Sequence, residues 1–155
     1  MSASTVEEND TSNTVTIAAK IVATIELDLD SPIIVPAGPA GTRVFVPIKG
    51  KIYGTAINGT IISPSSDWIT VGPDDSVANI NARFVIRTDS GEAVLQNAIG
   101  RSVRDKNNPT NSVLRTMATY EASTGGKYEH LNSKAFLGHG TKTGNKIKIV
   151  YYDTS

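Results

Sequence analysis

From Val15 to Leu29 the chain alternates with period two. Val15, Ile17, Ala19, Ile21, Ala23, Ile25, Leu27 and Leu29 fall on one face; Thr16, Ala18, Lys20, Val22, Thr24, Glu26 and Asp28 fall on the other. Successive side chains of a strand point to opposite faces, so this is strand grammar with one buried side. The run exceeds the ~3–10 residues of an ordinary strand, so it must bend or break, as strands do when a sheet curls into a barrel.

The same period recurs downstream. "TRVFVPI" puts Val44, Val46 and Ile48 on one face. "NINARFVIRT" separates Ile80, Ala82, Phe84, Ile86 and Thr88 from Asn79, Asn81, Arg83, Val85 and Arg87. It turns at Asp89-Ser90-Gly91 into "EAVLQNAIGRS", the signature of a hairpin. "VLRTMATYE", "KAFLGHG" and "NKIKIVYYD" complete the set, and "GGKYEHLNSK" holds the one short helical turn expected, near Tyr128–Asn132. Many short strands with regular turns predict an all-β antiparallel barrel with at most one short helix. One domain over residues 14–155 is expected, preceded by a disordered, polar and acidic N-terminal tail over residues 1–13.

Composition removes several function classes. No Cys is present, which excludes disulfides and thiol catalysis. Fifteen Lys and Arg balance fifteen Asp and Glu, with no basic stripe, so no nucleic-acid partner is expected. The acidic start has no signal-peptide pattern, and no apolar run approaches the ~20 residues of a membrane span. The expectation is a cytoplasmic protein without a membrane partner. His130 and His139 lie in no metal-binding spacing, so neither a metal nor a cofactor is expected. "GHGTKTG" lacks the ending of a phosphate loop and sits between strands, so it reads as a hairpin turn; no G-x-S-x-G elbow marks a serine hydrolase.

Some positions carry candidate chemistry. Asp67-Trp68 is either a carboxylic acid against the wall of a pocket or a turn Asp beside a core-plugging ring. Arg83 and Arg115 either line a polar lumen, where a guanidinium holds a carboxylate or enolate oxygen, or face solvent. Arg43, Tyr53, Tyr120, Tyr128, Asn132 and His139 are either ligand contacts or packing and turn residues.

An ordered set of segments adds a resemblance. "GTRVFVPIKG", "SPSSDWITVGPDDSV", "NINARFVIRTDSGEAV", "VLRTMATYE" and "YEHLNSKAFLGHG" together resemble the family called domain of unknown function 3237, over about residues 20–153. That family's F-R-T and T-D-D-G read here as "LRT" and "TDSG". The resemblance implies a calycin-like barrel with an internal pocket, and it matches Asp67-Trp68, Arg43, Arg83 and Arg115 to characteristic positions. The leading expectation is a cofactor-free enzyme performing isomerase, cyclase, dehydratase or lyase chemistry on a small organic metabolite, as in secondary metabolism. Asp67, Arg83 and Arg115 would be catalytic; Trp68, Arg43, Tyr53, Tyr120, Asn132 and His139 would bind substrate. The alternatives are a non-catalytic carrier or sensor of an apolar metabolite, and a structural barrel that forms a homodimer through an edge strand.

Overall fold

A computed structural model describes residues 6–9 and 13–155. The strands run β1 (Val6–Asn9), β2 (Thr14–Ile17), β3 (Lys20–Leu29), β4 (Ile33–Gly38), β5 (Gly41–Tyr53), β6 (Gly59–Val71), β7 (Val77–Thr88), β8 (Ala93–Arg104), β9 (Asn111–Glu121), β10 (Ala135–Thr143) and β11 (Lys146–Asp153). A 3-10 turn, Glu129–Ser133, lies where the short helical turn is expected. The sheet order β3-β11-β10-β9-β8-β7-β6-β5 is closed by β3 pairing with β5, giving an eight-stranded antiparallel barrel. β4 lies outside this ring and pairs with the first half of β5. Of the expected tail, residues 1–5 and 10–12 lie outside the described residues, while β1 pairs with β2 as a separate hairpin.

The long alternating run breaks once, between Ile17 and Lys20, and β3 ends where the run does, at Leu29. Only its middle, Ala23, Ile25 and Leu27, is buried; Val15, Ile17 and Ile21 stay exposed. Closure brings β3 and β5 together at Gly50, where a Cβ would stand 2.0 Å from the carbonyl oxygen of Glu26. No other residue type permits that approach.

Inward positions alternate as the sequence predicts. Ala23, Val46, Phe84, Ala118, Phe136 and Tyr151 all point into the barrel and are buried. Burial of large side chains contributes roughly 1.5–3 kcal/mol each before entropy is counted. Small inward residues make room for the rings. Gly100, Thr116, Gly138 and Tyr151 are cross-strand neighbours, and a Cβ on Gly138 would fall 2.7 Å from the Tyr151 ring.

The two ends differ. One is plugged: the β5–β6 loop inserts Ile57, and the long β9–β10 connection inserts Tyr128 and Leu131. The other end, ringed by the β3–β4, β6–β7, β8–β9 and β10–β11 connections, holds a cavity of about 450 Å³. No helix among the described residues is long and apolar enough to cross a membrane.

Candidate functional site

The open end is built from the last inward residues of each strand. Leu29, Val44, Ile69, Ile80, Leu114 and Ile147 give it aliphatic walls. At this volume it suits one small molecule. Asp67 is the carboxylate on the lining that is buried, with 7% of its surface exposed.

The local fold explains how a carboxylate is kept there. Between the pairs Ile62↔Val85 and Ser66↔Arg83, β6 carries residues 63–65 against Phe84 alone in β7. This bulge contains a cis peptide at Ser63-Pro64. Ser65 turns inward, and its Oγ accepts the Val85 N–H at 2.9 Å. The extra residues preserve the parity of β6, so Ile61, Ser65 and Asp67 all face inward and are buried. Asp67 Oδ1 then accepts the backbone N–H of Asn81 at 3.0 Å. Removal from water dominates over this bond and over the Trp68 amide, and it pushes the carboxyl up to about 6.

The rim is charged. Arg104, Ser112 and Lys142 are cross-strand neighbours on the inward face of β8, β9 and β10. Arg104 Nη1 reaches Asp75 Oδ2 at 2.8 Å. Lys142 is half-buried and has no ion-pair partner among the described residues. Desolvation first, and then the Arg104 charge, hold its ammonium below the usual lysine range. Asp30, on the β3–β4 link, is exposed and accepts the Ser31 N–H.

Of the residues singled out in the sequence, Asp67 reaches this cavity and the others lie elsewhere. Trp68 points the opposite way, as the next residue of a strand must; it is 53% exposed. Its ring stands edge-on to Phe45 at 4.9 Å, and its Nε1 donates to Ser66 Oγ. Arg83 sits on the outer wall, because Ala82 and Phe84 occupy the inward positions of β7. Arg115 is also outside, between Arg101 and His139 in register, with Met117 and Leu137 in the next row. These arginines are therefore not brought to Asp67. Arg43 is half-buried on the outward parity of β5, and its Nε has no hydrogen-bond partner among the described residues. Tyr53 lies at the plugged end, half outside, with Lys51 Nζ 5.7 Å from its ring; a hydrogen bond to Glu26 raises its hydroxyl pKa. Tyr120 is interior, but it packs against Phe136 beneath the plug, where burial keeps its hydroxyl well above the usual range. Asn132 clamps Ala122, accepting its N–H at 2.6 Å and donating to its carbonyl at 2.9 Å. His139 is exposed on the outer wall. Tyr128 is part of the plug.

Lys142, Arg104 and Ser112 were not legible as site residues, although the signal existed. Lys142 shares the parity of Phe136, Gly138 and Gly140, and Arg104 shares that of Gln96 and Ala98. Alternation alone would have placed both inward. Among the described residues, no group of three or more His, Cys, Asp or Glu side chains gathers.

Solved structures carry the same fold. A protein of unknown function from Clostridium acetobutylicum ATCC 824 is 24% identical, with a TM-score of 0.77 over 89% of this chain and 99% of that one. A beta-barrel like protein from Acinetobacter baumannii AYE is 22% identical, with a TM-score of 0.78 over 92% and 98%. An enzyme from Penicillium herquei is 18% identical, with a TM-score of 0.61 over 88% and 94%. No curated protein matches. The family model described as "Protein of unknown function (DUF3237)" matches residues 17–155, and the chain belongs to that family.

Proposed function

We propose that the open end of the barrel is the active site of a small-molecule enzyme, with Asp67 as its general acid or base. The observation that carries this reading is a carboxyl group buried among aliphatic walls, with its pKa near 6 and no ion-pair partner among the described residues. A position needed only for packing would be better filled by an apolar side chain, because burying a carboxylate without a partner charge is costly. A pKa near neutrality lets one group both take and return a proton. The chemistry this suits is proton transfer on a bound metabolite: isomerisation, cyclisation, dehydration or a lyase step. The likeness to a Penicillium herquei protein called an enzyme supports the class, not the reaction.

A second reading, a carrier or sensor, is favoured by the aliphatic lining of the cavity. Turnover screening of the wild type beside Asp67→Asn separates the two. An enzyme converts a compound that Asp67→Asn binds but leaves unchanged, with a loss of about 10²-fold or more. A carrier binds the compound in both forms and converts it in neither.

A further inference from the structure

We propose that the molecule held at the open end is an amphipathic anion: an apolar body on the aliphatic walls and a carboxylate, or an oxyanion of like size, on the Arg104–Ser112–Lys142 row. The inference rests on the cavity being the ligand site and goes beyond it by assigning the charge class.

Three donors stand side by side on the inward face of β8, β9 and β10. Directly opposed residues of antiparallel strands lie ~4.5–5.5 Å apart at their Cβ atoms, so one small anion spans neighbouring donors. The protein neutralises them only in part. Asp75 takes Nη1 of Arg104, which leaves the rest of that guanidinium fork. Ser112 makes no hydrogen bond through its hydroxyl among the described residues, and Lys142 has no carboxylate partner. Arg104, which is exposed and paired with Asp75, and Lys142, which is half-buried and unpaired among the described residues, repel each other across Ser112, so an anion bound between them would relieve that repulsion. The depressed Lys142 ammonium fits this crowding, and no carboxylate acts to raise it. In register Asp67 falls in the row of Ala82 and Ala98, six residues along β8 from Arg104, so floor and rim are separate polar points. A ligand with its anionic head at the rim presents its far end, a hydroxyl or carbonyl, to Asp67.

The test uses octanoate, 1-octanol and octylamine as probes, with binding read from methyl and backbone NMR shifts of Leu114, Ile147 and Asp67. Octanoate is expected to bind about 10-fold more tightly than 1-octanol, and octylamine more weakly than either. Lys142→Met is expected to remove the preference for octanoate over 1-octanol, and Lys142→Arg to restore it. Equal binding of octanoate and 1-octanol at these residues, or tighter binding of octylamine, overturns the anion assignment while leaving the cavity as a ligand site. No shift at these residues with any probe overturns the assignment together with the cavity reading.

Discussion

Asp67 and Asn81 are joined across β6 and β7 by a carboxylate oxygen accepting a backbone N–H at 3.0 Å. The contact fixes the acid at the floor of the cavity without neutralising it. A single amide bond only partly offsets desolvation, so the carboxyl stays near 6.

Stability should therefore depend on this residue with an unusual sign. Between the ordinary Asp value of 3.8 and about 6, the folded protein holds a proton that the unfolded chain has released. The Asp67 contribution to stability thus falls as pH rises through that window, and then levels off at a cost of roughly 3 kcal/mol. Asp28, Asp74 and Asp153 have lowered values and act in the opposite direction at lower pH, so the readout is the difference between wild type and variant. Asp67→Asn is expected to raise the urea midpoint at pH 7.5 and to lose its advantage near pH 4. A variant that is less stable at pH 7.5 would contradict this.

Gln96 Nε2 donates to the Tyr151 hydroxyl at 3.0 Å in the closed part of the barrel. Both residues are fully buried, and burial pushes Tyr151 up to about 12. Tyr151→Phe leaves the Gln96 amide without its acceptor, at about 1–3 kcal/mol. Adding Gln96→Leu is expected to recover part of that loss, so a double-mutant cycle in urea should show coupling between the two sites. Additive losses would contradict it.

Gly138 exists for the Tyr151 ring and for Thr116. A Cβ there would stand 2.3 Å from Thr116 Oγ1 and 2.7 Å from Tyr151 Cε1. Gly138→Ala is expected to cost ~1–3 kcal/mol by overpacking. Gly72→Ala, where the nearest atom is 3.7 Å away, is the control and should change little. Thermal melts of both variants check this.

The outer-wall residues should be functionally silent at the cavity. Arg83→Ala and Arg115→Ala are expected to shift stability by about 0.5 kcal/mol or less, and to leave octanoate binding unchanged. Trp68, 53% exposed, should be quenched by acrylamide equally with and without that probe. Protection of Trp68 by the probe would place it at the site after all.

Much of the architecture was legible because the signal is periodic. The Ile80–Thr88 face is buried as alternation requires, as are Val46 and Ile48 with Val44 half-buried beside them, and the turn at Asp89-Ser90-Gly91 forms as expected. The site was less legible. Alternation says which residues share a face, but not which face is inside when both carry polar groups, so the Arg83 face reads equally as lumenal or solvent-facing. Its neighbours Ala82 and Phe84 decide it: both are buried at inward positions, which leaves Arg83 on the outer wall. Asp67 and Trp68 were read as one unit, yet adjacent strand residues must point to opposite sides. Which end is open follows from loop packing by Ile57, Tyr128 and Leu131, and that is not encoded in period two.

The central claim is that Asp67 is a desolvated acid at the floor of the open cavity. The most direct measurement is an NMR titration of its side-chain carboxyl carbon, assigned by comparison with Asp67→Asn. We expect an apparent pKa near 6, moving on addition of octanoate. An ordinary value near 4 that is indifferent to the probe would mean a solvated carboxylate outside any site, and the proposed chemistry would lose its acid.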